Sequence, residues 1–189
     1  GILLAYDNAY SEIGFDGYRP PSILELEGAR EVAVEFHSFS KTYNMTGWRI
    51  GWASGRAETI AALSRVKAFV DTGQFLAVQA AAAAALRSYD EWVPGNVSTF
   101  QERRDVLVEA LRANGFDARK PQATMYLWVP VSNGEPSEAF ARRALLEKGV
   151  VVMPGAALGV GGEGYFRVAL TQAPARLREA AKRLGEVSR

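Results

Sequence analysis

The sequence has no cysteine and a single histidine, His37. The lack of cysteine excludes disulfides and thiolate metal sites, and one histidine cannot form a histidine cluster. We therefore expect no metal site. A chain without thiols also suits a reducing compartment, so we expect a cytoplasmic protein.

An excess of charge of one sign is also lacking. The chain has 22 basic and 21 acidic residues, and its net charge is +1. This balance gives neither the basic surface of a nucleic-acid-binding protein nor a polybasic membrane-binding surface. The longest apolar stretch, residues 75–86, is too short and too rich in alanine to span a bilayer. We expect no nucleic acid and no membrane among the partners.

What the sequence does contain is an alternation of strand and helix patterns, which predicts an α/β fold. The chain has 189 residues, 48% of them hydrophobic, which is enough for one large domain or two small ones. Composition changes near Pro94, where we place a boundary between domains 1–93 and 94–189. The first domain is predicted to contain buried strands near 2–7, 31–37 and 48–53 and helices near 56–69 and 74–89. The second is predicted to contain helices at 97–113, 136–149 and 174–184 and strands near 125–129, 150–153 and 165–170.

One segment carries a chemical signature. Residues 38–51 read S-F-S-K-T-Y-N-M-T-G-W-R-I-G, with Lys41 among hydroxyl side chains and Arg49 eight residues later. Apolar runs on both sides predict that Lys41 lies in a loop between two buried strands. A lysine partly withdrawn from water can act as a nucleophile toward an aldehyde. Ser38, Ser40 and Arg49 suit an anionic phosphate, so the combination indicates pyridoxal phosphate (PLP).

This segment resembles, at all of its fourteen positions, the PLP attachment signature of the class I/II aminotransferases, which are fold type I PLP enzymes. Residues 43–51, with 7–12 (D-N-A-Y-S-E) and 17–22 (G-Y-R-P-P-S), are also similar to LL-diaminopimelate aminotransferases. The resemblance covers nearly the whole chain. It implies the C-terminal part of a PLP-dependent transferase fold: the end of the large-domain sheet with its helices, followed by the small C-terminal α/β domain. Because family members are much longer, and residues 2–6 read as a buried strand with no element before it, we expect an incomplete fragment.

The resemblance also implies roles for particular residues. Lys41 would attach the cofactor and move a proton during catalysis. Asp7, after an apolar strand, would pair with the ring nitrogen of the cofactor, since a carboxylate there needs a positive partner. Tyr10 would donate a hydrogen bond to the phenolic oxygen of the cofactor. The phosphate would be bound by Ser38, Ser40 and Arg49.

Two C-terminal segments, 150–155 and 162–170, resemble those that position the substrate-carboxylate arginine of the family, which would be Arg167. Leu158 departs from the family pattern, which has phenylalanine there. We interpret Tyr126 and Trp128 as core residues. His37 is interpreted as a hydrogen-bonded strand-end residue rather than a catalytic one.

The resulting hypothesis is a PLP-dependent aminotransferase that exchanges an amino group between an amino acid and a 2-oxo acid. The most similar sequences imply LL-diaminopimelate and glutamate as the amino acids, in lysine biosynthesis, and a homodimer as the full-length enzyme. Three alternatives stay open: a β-lyase or a different aminotransferase with the same cofactor, the effector domain of a transcription regulator, and a non-catalytic remnant.

Overall fold

In the computed structural model, which describes residues 1–187, the chain forms two compact units. The first unit comprises residues 1–97 and the second begins at Ser98. Each unit contains a three-stranded sheet with helices beside it in the sequence. The α/β fold class predicted from the sequence is confirmed.

The sheet of the first unit has the order β1-β2-β3. Its strands are β1 (Leu4–Asp7), β2 (Ala33–Ser38) and β3 (Gly51–Gly55). Strand β1 is parallel to β2, with Asp7 opposite Phe36, and β3 is antiparallel to β2. The carboxyl ends of β1 and β2 therefore lie at the same edge of the sheet.

Three helices belong to the first unit in full. They are α1 (Phe39–Thr42), α2 (Ala57–Asp71) and α3 (Leu76–Arg87). Phe39 of α1 packs with Met45 and Ala82 in a small buried cluster, against which Ile50 also packs. This cluster fixes the short connection between β2 and β3 against helix α3.

Burial in this sheet is uneven, and the prediction that all three strands are buried is wrong for β1 and β3. The first three residues of β2 are buried, whereas β1 and β3 contain no buried residue. The physical reason is position, because β1 and β3 are the two edge strands and only β2 has a neighbour on each side. The apolar side chain of Ile2, just before β1, is 87% exposed.

The sheet of the second unit is antiparallel, with the order β4-β6-β5. Its strands are β4 (Tyr126–Pro130), β5 (Met153–Pro154) and β6 (Tyr165–Ala169). The rings of Phe116, Phe140 and Phe166 meet in the core, with centroids 4.8 to 6.1 Å apart. The strand expected near 150–153 is confined to the two residues of β5.

Helices α4 (Tyr89–Ala113), α5 (Ser137–Lys148) and α6 (Pro174–Val187) complete the chain. Helix α5 ends at Gly149, whose left-handed backbone (φ 64°) allows its N–H and that of Val150 to bond the last carbonyls. Helix α6 buries Leu177, Ala181 and Leu184 on one face, as the sequence predicts. No helix within the described residues is both long enough and apolar enough to cross a membrane.

Candidate active site

The candidate site begins at the carboxyl ends of two parallel neighbours, β1 and β2. Asp7 is the last residue of β1, and Ser38 is the last residue of β2. Lys41 follows Ser38 by three residues. In α/β sheets ligands bind outside the carboxyl ends of the strands, so the topology brings Asp7 and Lys41 to the part of the sheet where ligands are expected.

Lys41 lies on the one-turn helix α1 rather than in the loop that the sequence predicted. The helix forms because Ser38 acts as its N-cap: the backbone N–H of Ser40 donates to Ser38 Oγ at 3.1 Å. Thr46 Oγ1 donates to the carbonyl of Ser40 at 2.9 Å and ties the following turn to the helix. A hydroxyl cap therefore gives the lysine a defined backbone position.

The charged ends of Asp7 and Lys41 are available to a ligand. Asp7 is exposed and Lys41 is half-buried. Asn96 Nδ2 donates to the backbone carbonyls of Lys41, at 3.2 Å, and Thr42, at 3.0 Å. Across residues 1–187, neither the Asp7 carboxylate nor the Lys41 ammonium has a hydrogen-bond or ion-pair partner.

Arg49 completes the connection between β2 and β3. Its guanidinium is exposed, and Nη1 donates to the carbonyl of Thr46 at 2.9 Å. Arg49 stands two residues before Gly51, which pairs with Ser38 in the sheet. The structure therefore holds Ser38, Lys41 and Arg49 in one strand-helix-strand connection, together with the buried Ser40.

Tyr10 lies three residues after Asp7, in the turn that leaves β1. Its side chain is half-buried, and its carbonyl accepts the N–H of Ile13 at 3.0 Å. The turn places Tyr10 at the same sheet edge as Asp7.

Arg167 belongs to the second unit, on β6, opposite Trp128 of β4 and Met153 of β5. Its guanidinium stacks over the ring of Tyr126, 4.2 Å from the ring centroid. The interpretation of Tyr126 and Trp128 as core residues is wrong: Tyr126 is only half-buried and Trp128 is 39% exposed. Leu127 between them is fully buried, because alternate residues of β4 face opposite sides of the sheet.

A buried carboxylate that the sequence does not predict, Glu35, lies in the middle of β2. Burial would raise the pKa of Glu35, but hydrogen bonds from Ser22 and Asn8, the charge of His37 and the N–H of Ile23 together lower it below its usual value. The sequence does hold a signal, since the acidic Glu35 stands between the apolar residues Val34 and Phe36 of the strand. His37 is partnered as expected: its Nε2 lies 2.8 Å from Glu35 Oε1, and its ring stacks on Trp52.

Glu35 and His37 line a cavity of about 410 Å³ in the first unit. Glu12 and Tyr89 also line this cavity, and Tyr89 Oη donates to Glu12 Oε2 at 2.5 Å. Burial, and then this carboxylate, raise the pKa of Tyr89 above its usual range, so the phenol stays protonated and serves as a donor. The Tyr89–Glu12 hydrogen bond connects the turn after β1 to the start of α4, and the Asn8–Glu35 hydrogen bond connects the same turn to β2.

Nearly the whole chain is similar to a known protein family and to named members of it. The sequence pattern of the family described as Aminotransferase class I and II matches residues 1–184. The chain is 52% identical, over 184 residues, to an LL-diaminopimelate aminotransferase of Desulforudis audaxviator, and the match covers 97% of this chain and 47% of that protein. It is 50% identical, over 186 residues, to the LL-diaminopimelate aminotransferase of Moorella thermoacetica, covering 98% of this chain and 48% of the relative.

Solved structures of aminotransferases also superpose on nearly the whole chain. A probable N-succinyldiaminopimelate aminotransferase from Thermus thermophilus superposes with a TM-score of 0.92 at 39% identity, covering 98% of this chain and 50% of the other. An aromatic aminotransferase from Pyrococcus horikoshii superposes with a TM-score of 0.92 at 31% identity, covering 98% and 50%. The chain therefore spans about half the length of the proteins that it matches.

Proposed function

We propose, from the premise that this chain belongs to the class I and II aminotransferase family, that it carries the attachment lysine of a PLP-dependent aminotransferase. Such an enzyme moves an amino group between an amino acid and a 2-oxo acid. One observation carries the proposal: Asp7 and Lys41 lie at the carboxyl ends of the neighbouring parallel strands β1 and β2. Neither side chain has a hydrogen-bond or ion-pair partner among residues 1–187.

The residues present fit the chemistry of PLP. The exposed guanidinium of Arg49 and the hydroxyls of Ser38 and Ser40 suit a phosphate dianion, since a cation and neutral donors are what a phosphate binds. The unpartnered Asp7 carboxylate suits a protonated ring nitrogen, and the Tyr10 hydroxyl suits a phenolic oxygen. In this proposal the Lys41 amine would hold the cofactor covalently at its aldehyde carbon, with release of water.

PLP, when bound, supplies the electron sink that allows a C–H bond beside an amino group to break. The Asp7 carboxylate keeps a proton on the ring nitrogen by charge pairing. Once the substrate amino group had displaced it from the cofactor, Lys41 Nζ would accept the proton from the substrate α-carbon and return it to the former aldehyde carbon of the cofactor, so one amine would act as base and then as acid. The Arg167 guanidinium would bind the substrate carboxylate by two parallel N–H···O bonds.

For the substrates, we propose LL-diaminopimelate and glutamate as amino donors and tetrahydrodipicolinate and 2-oxoglutarate as the matching acceptors, in lysine biosynthesis. The support is the identity of 47% to 52% to eight proteins named LL-diaminopimelate aminotransferase, over 97% or 98% of this chain. We further propose that residues 1–93 belong to a large cofactor-binding domain and residues 94–189 to a small domain, in a cytoplasmic homodimer.

The test is transfer of an isotope-labelled amino group. The purified chain is loaded with PLP and given LL-diaminopimelate with nitrogen-15 at its amino groups, together with 2-oxoglutarate, and labelled glutamate is measured by mass spectrometry. The proposal expects labelled glutamate, abolished in Lys41→Ala and retained in Lys67→Ala, a change at an exposed position of α2. Transfer from aspartate or an aromatic amino acid, with none from LL-diaminopimelate, would reject the substrate assignment. Equal transfer by the Lys41→Ala chain would reject the role of the lysine.

A further inference from the structure

Glu35 occupies the centre of β2 and is only 1% exposed. A buried carboxylate without partners strongly destabilises a fold, so its hydrogen bonds must account for its presence. Its two oxygens accept from four donors: Asn8 Nδ2 at 2.7 Å, His37 Nε2 at 2.8 Å, Ser22 Oγ at 2.5 Å and the Ile23 N–H at 3.0 Å.

These donors belong to three different segments. Oxygen Oε1 binds Asn8, just after β1, and His37, two residues further along β2. Oxygen Oε2 binds Ser22 and Ile23, which begin the 3-10 turn at Ile23–Glu25. One carboxylate thus joins the end of β1, the loop after it and the strand that leads to Lys41.

Asn8 is the connection that matters for the site. Its backbone N–H donates to the carbonyl of Phe36 at 2.8 Å, and its side chain donates to Glu35 Oε1. Asn8 is therefore attached to β2 at two points, through its main chain and through its amide. Because Asn8 directly follows Asp7 and precedes Tyr10 by two residues, this double attachment sets where both side chains leave the sheet.

We propose that Glu35 is a positioning residue, which through Asn8 holds Asp7 and Tyr10 in fixed register with the strand that ends at Ser38 and leads to Lys41. The inference rests on the proposed function for its consequence in cofactor binding. It adds Glu35 to the residues that the sequence assigns to the site, and it accounts for the presence of a buried carboxylate in β2. Removing the charge without changing the side-chain volume should loosen the turn after β1 and weaken PLP binding.

Two complementary substitutions test the proposal. In Glu35→Gln, the new amide N–H₂ faces the Asn8 amide, so two donors meet. In Asn8→Asp, two carboxylates face each other. The double variant, Glu35→Gln with Asn8→Asp, exchanges donor and acceptor: the introduced amide donates to the introduced carboxylate, and its carbonyl oxygen still accepts from Ser22 and Ile23. The matched control is Glu27→Gln, a change at an exposed glutamate.

Two readouts are measured on the full chain: the dissociation constant for PLP by absorbance titration, and hydrogen exchange of the amides of residues 8–13 compared with those of helix α6. Loss of one charge-assisted hydrogen bond corresponds to about a tenfold change in an equilibrium constant. We expect each single variant to weaken PLP binding about tenfold or more and to speed exchange at 8–13 by a similar factor. We expect the double variant to recover most of the PLP affinity and most of the protection of residues 8–13 from exchange. The Glu27→Gln control should match wild type in both readouts, and exchange in helix α6 should be the same in every variant.

The proposal is overturned if Glu35→Gln leaves both readouts at wild-type values. It is also overturned if exchange in α6 rises as much as at 8–13, or if the double variant is no better than the singles, because these results indicate a general loss of stability. Failure of the proposed function gives a different result, because the wild-type chain then takes up no PLP at Lys41. In that case hydrogen exchange at residues 8–13 alone tests the role of Glu35.

Discussion

At the scale of single residues, the connection that carries Lys41 depends on a close backbone approach at Gly51. A Cβ added there would lie far inside van der Waals distance of the carbonyl oxygen of His37, an overlap that backbone atoms cannot relieve without moving β2 away from β3. We expect Gly51→Ala to lower the free energy of unfolding by about 1–3 kcal/mol, measured by urea denaturation. Gly47→Ala, in the same connection but with open space around the added carbon, should change stability far less. Equal effects of the two substitutions would contradict this packing.

Arg167 offers a second prediction at this scale. Its planar guanidinium, placed over the Tyr126 ring, can give a carboxylate two parallel hydrogen bonds, which lysine cannot reproduce. We expect Arg167→Lys to raise KM for both the amino acid and the 2-oxo acid about tenfold or more, since one charge-assisted bond is lost. The comparison is Arg178→Lys, at an exposed position of α6. An unchanged KM in Arg167→Lys would place the carboxylate elsewhere.

The residues around the site differ in how well sequence could predict them. Lys41, Ser38 and Arg49 stand in one continuous pattern, so the spacing itself carries the chemistry. Three of the four donors to Glu35 lie 12 to 27 positions away in the sequence, and a single sequence does not show which distant donors will meet a carboxylate. The sequence therefore does not predict the hydrogen bonds of Glu35, although an acidic residue between Val34 and Phe36 indicates where they form.

At the scale of elements, helix α5 is joined to the segment before β6 by Glu163. The Ser137 N–H donates to Glu163 Oε1 at 2.7 Å, and the Gly164 N–H donates to the same oxygen at 2.9 Å. Ser137 Oγ accepts the N–H of Ala156 at 3.2 Å. The start of α5 is thereby tied to both ends of the glycine-rich segment between β5 and β6.

This arrangement predicts a pH dependence of stability. The backbone N–H groups of Ser137 and Gly164 lower the pKa of Glu163 from its ordinary value of 4.5. A carboxyl whose pKa is lower in the folded state stabilises the fold above pH 4.5, and that contribution is lost as the pH falls through the lowered pKa. We expect Glu163→Gln to reduce Tm at neutral pH and the difference from wild type to shrink as the solution is acidified below that value. Exposed Glu102→Gln should show no such trend. A difference that stays constant from neutral to strongly acidic solution would count against the linkage.

Element boundaries show where sequence patterns stop being informative. The sequence predicts that the helix in the middle of the chain starts near Val97, because Pro94 and Gly95 resemble a break, yet α4 begins at Tyr89 and contains both. Pro94 lies in the second turn of α4 and has no N–H to donate to the carbonyl of Asp90, so the helix continues through it with one backbone hydrogen bond fewer. The prediction that Trp128 lies in the core is wrong for a different reason. Alternation along β4 shows that the strand has two faces, but it does not show which face a helix covers.

At the scale of the whole molecule, the chain leaves large apolar side chains uncovered. Helix α2 buries no residue, Phe69 is 95% exposed and Phe75 is 75% exposed. Surfaces of this kind are typical of places where proteins associate. We expect the purified chain to self-associate, with an apparent mass in light scattering that rises with concentration above the 20.6 kDa of one chain.

The association should depend on the apolar face itself. Phe69→Ser with Phe75→Ser should shift the mass toward that of one chain, whereas Lys67→Ser on α2 should leave the concentration dependence as it is. A single-chain mass at all concentrations for the unmodified protein would show that this surface is stable without a partner.

The central claim is that Lys41 is the residue that binds PLP covalently, and one measurement tests it most directly. The chain is incubated with PLP and reduced with borohydride, and the pyridoxyl adduct is mapped by peptide mass spectrometry, with the Lys41→Ala chain as control. We expect an adduct on Lys41 in preference to Lys67, Lys120, Lys148 and Lys182, and none at residue 41 in the control. Labelling scattered over the lysines, or absent altogether, would contradict it.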